Sequence, residues 1–269
     1  FDAWPALEET DHQGWRLRFA HGHTKRANSA NAIAPMPELG ASQIAVIEQF
    51  YRDRGLPPVV RLASFCTSQA ADDALADRGY RYAGISLVMT RPLAPAGRPH
   101  EPCGSAAGDT AWGATDARAL HPGSQRGPHH KTQDGASSRP DPATDIAAWL
   151  ADHRDISGGP ATVTPAHRQI LQRIRGETRL LVTRADGRAV CCGLGVRSGD
   201  FVGLFQIATR PDCRGHGLAT ELCAELVRWG AARGARSAYL QVEAGNTGAV
   251  RIYEALGFRR SYHYWYRIA

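Results

Sequence analysis

The chain of 269 residues is poor in the features that mark membrane, secreted or zinc proteins. It has no apolar run approaching the ~18 residues that a membrane helix requires. Its six cysteines form no Cys-x-x-Cys pair and no spacing typical of a zinc site. The opening letters FDAW do not resemble a signal peptide. We therefore expect no membrane span and no metal, and we expect reduced thiols in a cytoplasmic protein.

The chain also lacks a concentrated basic region, although it is basic overall. Lys and Arg number 32 against 26 Asp and Glu, a formal net charge of +6. Nucleic-acid-binding proteins cluster such charge, with exposed aromatics interleaved, whereas the longest basic run here covers only residues 129–131. An anionic partner is therefore expected, and the pattern disfavours nucleic acid.

Hydrophobic residues at 43% and charged residues at 22% are typical of globular domains that bury a sizeable core. The length suits two domains. Residues 91–142 are rich in Pro, Gly, Ser, Ala and His without sustained periodicity, which is the composition of a linker. We predict an N-terminal lobe at 1–92, a linker or insertion at 93–143 and a C-terminal domain at 144–269.

Hydrophobic periodicity predicts a mixed α/β protein on both sides of this linker. In the first part the predicted strands are 14–20, 24–33, 58–65 and 80–90, and the predicted helices are 42–54 and 69–78. In the second part the helices are 145–153, 165–175, 217–232 and 247–256, and the strands are 179–184, 189–197, 201–209, 237–242 and 258–267. The two parts share a strand, helix, strand, helix, strand succession, which favours a duplicated architecture.

The most informative segment is residues 207–219, with the letters IATRPDCRGHGLA, which passes from a strand through a glycine-containing loop into a helix. Glycines let successive backbone N–H groups turn inward, and the first helical turn adds unpaired donors and a positive dipole end. Arg214 adds a fixed positive charge, and the small Ala219 permits close approach. The segment fits a pyrophosphate, although an ordinary strand-to-helix turn can carry two glycines as well.

Two motifs carry a family resemblance. The letters RGHGLA at 214–219 resemble the Q/R-x-x-G-x-G/A signature by which GNAT N-acyltransferases hold the acyl-CoA pyrophosphate. The letters NTGAVRIYEALGF at 246–258 resemble the second motif of that family, N-x-x-A-x-x-x-Y-x-x-x-G-F. The resemblance covers residues 145–269 and implies the GNAT fold, a mixed α/β sheet, with acetyl-CoA as cosubstrate.

The resemblance also implies roles for individual residues. The residues that would contact acetyl-CoA are Ile207, Ala208, Thr209, Arg214, Gly215, His216, Gly217, Leu218, Ala219 and Asn246. The backbone of the first three would line the pantetheine arm and polarise the thioester carbonyl. Tyr253 would protonate the departing thiolate, with Asn246 in the same groove two helical turns earlier. The simpler alternatives are an N-cap for Asn246 and core packing for Tyr253.

The sequence identifies no general base for the amine. Glu243 and His263 are the nearest candidates, but surface or packing roles are the expected ones, and neither residue is assigned as the base. Cys213 adjoins the loop, but His216 sits across a glycine with no orienting partner, so a covalent acyl-enzyme is not expected.

The first part of the chain is similar to the degenerate lobe of two-lobed GNAT proteins, through the letters WRLR at 15–18 and KRANS at 25–29. Residues 34–40 hold one glycine, two prolines and no arginine, so they cannot make the phosphate cradle. One coenzyme site per chain is therefore expected. Arg26, Asn28 and Ser29 are candidates to reach substrate, with surface polar residues as the alternative.

The sequence thus predicts an N-acetyltransferase that joins acetyl-CoA and a primary amine in a ternary complex. The acceptor is a small molecule or a peptide, and the protein is a monomer with pseudo-dimer architecture or a homodimer. The alternative is a CoA-binding regulatory or scaffold protein that has lost turnover, because fold alone does not decide activity.

Overall fold

The computed structural model describes residues 1–35, 37–93, 140–158 and 165–269. Within these ranges the strands form one mixed sheet of eleven, flanked by helices. The elements of the first part are β1 Glu8–His12, β2 Trp15–Phe19, β3 Ala30–Ala32, α1 Ala41–Arg52, β4 Val59–Ala63, α2 Gln69–Asp77 and β5 Arg81–Pro92. Those of the second part are β6 Asp141–Ala143, α3 Ile146–Ser157, α4 Pro165–Gln172, β7 Glu177–Ala185, β8 Arg188–Ser198, β9 Phe201–Thr209, α5 Leu218–Ala232, β10 Ser237–Glu243, α6 Thr247–Ala255 and β11 Arg259–Ile268.

The sheet runs across both parts of the chain without a break. Its order is β1-β2-β3-β4-β11-β5-β10-β9-β8-β7-β6. The two parts exchange their last strands: β11 of the second part pairs with β4 of the first, and β5 of the first part pairs with β10 of the second. The order is symmetric about the antiparallel β5–β11 pair. On one side β11 is antiparallel to β4, which is parallel to β3, and on the other β5 is antiparallel to β10, which is parallel to β9.

The two faces of the sheet bury different helices. Alternation along a strand sends neighbouring side chains to opposite faces, so Met89 joins the core under α5 and α6 while Val88 packs with Tyr264 and Tyr266. Helices α1 and α2 lie on the same face as α5 and α6. The opposite face is covered by α3 and α4, whose buried Trp149 donates its indole N–H to the Leu181 carbonyl at 3.1 Å.

Helix α5 lies unusually close to the sheet because glycines face it. A Cβ on Gly193 of β8 would sit 2.5 Å from a Leu222 methyl, and one on Gly230 would sit 2.5 Å from a Val202 methyl. Leu222 and Leu226 are fully buried as a result. This packing fixes the N-terminus of α5 against the ends of β8 and β9.

Several sequence predictions need correction. Residues 24–33 are not one strand, because a 3-10 turn at Lys25–Ala27 precedes the short β3. The edge strand β1 was not predicted, since its letters EETDH are polar. Strand β6 lies inside the predicted linker 93–143, so that prediction is wrong for Asp141–Ala143. The linker's residues 94–139 lie outside the described residues.

Candidate active site

The site begins where two parallel strands separate. Strand β9 pairs with β10 from Phe201 to Leu204 only, although β9 continues to Thr209 and β10 to Glu243. The predicted contact residues Ile207, Ala208 and Thr209 all follow the last pair. The backbone edge of β9 that faces β10 is therefore open along these residues, as a substrate arm lying between two strands would require.

A β-bulge lies at the mouth of this opening. Cys192 pairs with Ala208 and Leu194 with Phe205, so β9 carries one residue more than β8 between these pairs. Gln206 in the bulge has a φ of 53°, in the left-handed region that non-glycine residues seldom adopt. Bulges re-aim side chains, and here Phe205 and Gln206 both contact groups on the α3 and α4 face.

The loop between β9 and α5 presents a row of backbone donors. Gly215 and Gly217 have φ of 82° and 79°, which leaves the peptide N–H groups on one side of the turn. In the described part of the chain, no acceptor lies within hydrogen-bond distance of the N–H groups of residues 215–220. The N-cap Gly217 has no side chain to cap them. With the positive end of the 15-residue helix, these donors fit a diphosphate.

The other loop residues are placed around this row. The Arg214 side chain is anchored by its Nε, which donates to the Thr209 carbonyl at 3.3 Å. His216 Nδ1 lies 3.3 Å from the Cys213 carbonyl oxygen, whereas the Cys213 thiol contacts the Asp212 carboxylate at 3.7 Å. Desolvation and the neighbouring Asp212 carboxylate raise the pKa of the Cys213 thiol. Nothing in this arrangement activates Cys213 as a nucleophile.

Tyr253 lies on α6 with its ring in the core between α5 and α6, 8% exposed, edge-on to Phe258. Burial, reinforced by the nearby thiols of Cys223 and Cys191, raises the pKa of its phenol well above the usual range. The phenol is therefore protonated at neutral pH. Among the described residues none hydrogen-bonds its hydroxyl, so the proton is available to a ligand.

Asn246 caps the same helix. Its Oδ1 accepts from the Ala249 N–H at 3.1 Å, so the capping interpretation is correct. The residue is exposed, and its amide nitrogen still faces solvent beside the end of β10. The cap and a ligand contact are compatible.

A group of three histidines, which the sequence did not indicate, lies behind the bulge, with His167 buried and His23 and His153 half-buried. His167 of α4 approaches Gln206 with its Nε2 3.3 Å from the amide nitrogen, and His23 stacks on His167 at 4.2 Å between centroids. Desolvation, then the charges of His23 and His153, lowers the pKa of His167 to about 3. Desolvation and His23 lower the pKa of His153 to about 4, against an opposing hydrogen bond from Gln206. Neutral imidazoles thus support the bulge, and no sequence motif connects them because they come from three separate segments.

Next to the open end of β10 lies a cavity of about 260 Å³, here called the seam cavity because both parts of the chain line it. Its walls are residues 24–26, Ser86, residues 241–243, Tyr264 and Tyr266. Of the two candidate bases, Glu243 lines this cavity. His263 does not, because it stacks on Trp265 at 5.9 Å, and Trp265 packs on the face that carries α2.

Of the three residues of the N-terminal part that were predicted to reach substrate, one lines the cavity and two are buried. Arg26 lines the seam cavity. Asn28 is buried, and its Oδ1 accepts from the N–H groups of Ala20 and Gly22 at 2.7 and 3.0 Å. Ser29 is fully buried. Asn28 therefore holds the loop that carries Arg26, and burial removes both Asn28 and Ser29 from the surface role and from substrate contact.

The remaining side-chain chemistry of the described ranges is plain. The five cysteines there are free thiols, and the neighbours Cys191 and Cys192 pack into cores on opposite faces of the sheet. Searching those ranges gives no cluster of three or more His, Cys, Asp or Glu able to hold a metal ion. None of the helices described is long and apolar enough to cross a membrane.

Comparison with known proteins assigns both parts of the chain. Residues 146–258 match the model of the Acetyltransferase (GNAT) family. Residues 1–122 match the model described as Probable histone acetyltransferase Rv0428c C-terminal. The uncharacterized N-acetyltransferase YobR of Bacillus subtilis (strain 168) is 27% identical over 267 residues, which cover 99% of this chain and 94% of that protein.

Solved structures share the fold at low identity. A GCN5-related N-acetyltransferase from Kribbella flavida has a TM-score of 0.62 at 13% identity. The match covers 98% of this chain and 89% of the Kribbella chain. A tandem GNAT protein from the clavulanic acid biosynthesis pathway has a TM-score of 0.54 at 12% identity, covering 90% and 74%. A GNAT family model over the second part of the chain and GNAT structures over nearly all of it agree with the two sequence motifs. The second part of the chain, residues 146–258, therefore belongs to the GNAT superfamily of acetyltransferases.

Proposed function

We propose that this acetyltransferase moves the acetyl group of acetyl-CoA to a primary amine by direct attack in a ternary complex. The observation that carries the proposal is the position of two features at the same end of β9. The strand edge that is open to a substrate arm leads directly into the row of free N–H groups at the start of α5.

The residues present suit acetyl-CoA. The N–H groups of residues 215–219 would hold the diphosphate, with Arg214 adding a positive charge beside them. The open backbone at residues 207–209 would pair with the amide groups of the pantetheine arm, with the side chain of Asn246 at the far edge of the groove. These contacts would direct the thioester toward the bulge at Gln206.

The chemistry then needs few groups. The amine nitrogen attacks the thioester carbonyl carbon, the carbon–sulfur bond breaks, and the leaving thiolate takes a proton. Tyr253 supplies that proton, because its buried phenol is protonated and has no partner among the described residues. Backbone N–H groups of β9 beyond Leu204 stabilise the developing oxyanion, and holding both substrates together supplies much of the acceleration. Glu243 is the carboxylate of the seam cavity nearest the amine's path.

The second part of the proposal concerns the N-terminal part of the chain. It carries no cradle of its own and instead covers the acceptor side, so one chain holds one acetyl-CoA. The tandem GNAT protein of similar fold supports this organisation into lobes at 1–92 and 144–269. We propose a cytoplasmic enzyme, monomeric or homodimeric, that acts on a small-molecule or peptide amine.

The test is release of the CoA thiol, followed with a thiol reagent, from acetyl-CoA mixed with a panel of amines. The proposal predicts saturable, amine-dependent release and a mass increase of one acetyl group on the amine. Acetyl-CoA that binds without being consumed with any amine would instead support the catalytically silent CoA-binding protein. Absence of saturable binding would contradict both functions.

A further inference from the structure

Two basic side chains line the seam cavity without an ion-pair partner among the described residues. Lys25 and Arg26 enter it from the loop before β3, and neither lies within the 4.0 Å ion-pair distance of an acidic group in the described residues. The Arg26 guanidinium sits over the rings of Trp4 and Phe205, 5.5 Å from each centroid. Its Nε is buried without an acceptor. Leaving a charged donor unsatisfied costs free energy, so a ligand that accepts from it would be favoured.

A third cation lies behind the aromatic wall of the cavity. Arg61 of β4 stacks on Tyr264 with its guanidinium carbon 3.8 Å from the ring centroid. Its Nε is also buried without an acceptor, and it too has no ion pair in the described ranges. Lys25 lies 5.3 Å from the centroid of the neighbouring Tyr266. The aromatic wall is thus surrounded by positive charge.

The β10 side of the lining has the other sign. Glu243 ends β10 and lies within ion-pair distance of no base in the described residues. On the same strand, the Gln241 Oε1 accepts from the Tyr264 hydroxyl at 2.8 Å, which joins β10 to the aromatic residues of the cavity. The cavity therefore offers two cations to an anion and, more than 4.0 Å from them, a carboxylate to an ammonium group.

We propose that the acceptor is a small amine that also carries an anionic group, a carboxylate or a phosphate. Lys25 and Arg26 bind the anion, since guanidinium and ammonium donors suit these oxyanions. Glu243 holds the amine at the open end of β10, where β9 presents the thioester. The inference deepens the proposed function and rests on it for the position of the thioester.

The size of the site favours a small molecule over a protein substrate. A cavity of about 260 Å³ is slightly smaller than ordinary ligand pockets, which span roughly 300–1,000 Å³. It is bounded by three strands and the 24–26 turn, so it accepts a compact molecule or a single side chain. A peptide acceptor would have to place both its amine and its acid within this volume.

The experiment compares amines that differ only in the anion. Alanine is paired with ethylamine, 4-aminobutyrate with propylamine, and phosphoethanolamine with ethanolamine. Equilibrium binding is measured by calorimetry in the presence of CoA, and turnover is measured separately with acetyl-CoA. We expect at least one anionic member to bind at least tenfold more tightly than its partner. The alanine and phosphoethanolamine arms distinguish carboxylate from phosphate.

Variants identify the residues responsible. The double variant Lys25→Gln, Arg26→Gln should weaken the anionic ligand at least tenfold and leave its neutral partner within twofold. Arg26→Lys keeps the charge and should restore most of the preference. Arg228→Gln is the matched control, because Arg228 is an exposed arginine on α5 remote from the cavity. A thermal melt of each variant reports folding.

Three results separate the claims. Neutral partners that bind as well as their anionic counterparts would overturn the inference, whether or not acetyl transfer occurs. The same holds if the double variant weakens both members of a pair equally. An anionic preference that depends on Lys25 and Arg26 in a protein without turnover would uphold the inference and contradict the proposed function.

Discussion

The turns that precede α1 and α5 occupy equivalent places in the symmetric sheet, and they differ in backbone conformation. Each helix has a glycine N-cap, Gly40 for α1 and Gly217 for α5. Gly40 has a φ of −84°, which any residue can adopt, whereas Gly217 has a φ of 79°. The same residue type at the same place therefore serves two different turns.

The donors of the two turns are also used differently. The Gly40 N–H donates to the Gln43 side chain at 3.1 Å, and the Glu38 carbonyl accepts from the Trp15 indole at 3.0 Å. The Gly40 N–H is thus bonded within the protein, while the N–H groups of residues 41–43 have no acceptor among the described residues. At residues 215–220 the N–H groups face outward, with no acceptor in the described structure. The comparison teaches that the fold supplies the place for an anion site and that the chemistry of the turn decides whether one exists.

The second helix of each part repeats the lesson. Ser68 and Asn246 both cap nine-residue helices, with accepted N–H bonds of 3.2 and 3.1 Å. Seven residues later α2 has Leu75, fully buried, and α6 has Tyr253, whose hydroxyl has no partner among the described residues. Only the second part places an acidic proton at this position.

The largest expected effect tests the difference between Tyr253 of α6 and Leu75 of α2. Tyr253→Phe removes one hydroxyl and should lower kcat by about 100-fold, a typical loss for a general acid. The KM for acetyl-CoA should change little, because the hydroxyl acts on the leaving group. Steady-state kinetics check this result. Leu75→Met, a conservative change at the equivalent place, should leave kcat unaltered, and an unchanged kcat in Tyr253→Phe would remove the proton donor from the mechanism.

The next effect tests the two glycines. Gly217→Val forces a β-branched residue to a positive φ and displaces donors that each contribute roughly 1.5–3 kcal/mol to a charged acceptor. The Kd for acetyl-CoA should rise about 100-fold. Gly40→Ala is the control, since its backbone suits alanine, and it should leave the Kd unchanged. Calorimetry measures the Kd for acetyl-CoA of both variants. An equal change of Kd in the two would contradict the difference between the two turns.

A smaller effect, on stability as a function of pH, concerns the histidines behind the bulge, two of which, His153 and His167, belong to the second part. The pKa of His167 in the folded protein is about 3, below the value near 6.5 of an unfolded chain. The unfolded state therefore takes up the proton first, and the stabilisation present above pH 6.5 is lost as the pH falls toward 3. At pH 5 this loss is about 2 kcal/mol.

Denaturant unfolding at pH 7.5 and pH 5 measures the loss. His167→Gln should reduce the difference between the two pH values by about 2 kcal/mol. His21→Gln, an exposed histidine of the first part, serves as the control. An unchanged pH dependence in His167→Gln would show that burial of His167 does not contribute.

The smallest expected effect tests the N-cap that α2 and α6 share. Ser68→Ala and Asn246→Ala each remove an N-cap and should lower the free energy of unfolding by about 1 kcal/mol. The two should be alike in stability, and only Asn246→Ala should also weaken acetyl-CoA binding. Denaturant titration together with calorimetry separates the two consequences. A ligand effect in Ser68→Ala would place a second binding site in the first part.

Local signals in the sequence predicted much of this arrangement. Strand β9 was predicted with its observed bounds, and α5 began one residue later than predicted, because its apolar spacing and glycine turn act locally. The exchange of β5 and β11 was not predictable, since pairing joins strands far apart in the chain. Strand β1 was missed because pairing with β2 overrides its polar composition.

The residues of the site also differ in how far the sequence predicts them. Its loop and helix residues follow from contiguous motifs, whereas the histidines at 23, 153 and 167 meet only through the fold. The choice between Glu243 and His263 depended on which face each strand residue takes. The pairing of β5 with β11 shifts register twice, with Ser261 as the extra residue in β11 and Gly84 as the extra residue in β5. These shifts reset the alternation, and no sequence pattern indicates them.

The most direct measurement is a crystal structure of the protein grown with acetyl-CoA. The account predicts one nucleotide per chain, its diphosphate oxygens within hydrogen-bond distance of the N–H groups of residues 215–219, and its thioester beside the opening between β9 and β10. A nucleotide bound at the turn before α1, or one whose diphosphate touches none of those N–H groups, would contradict it.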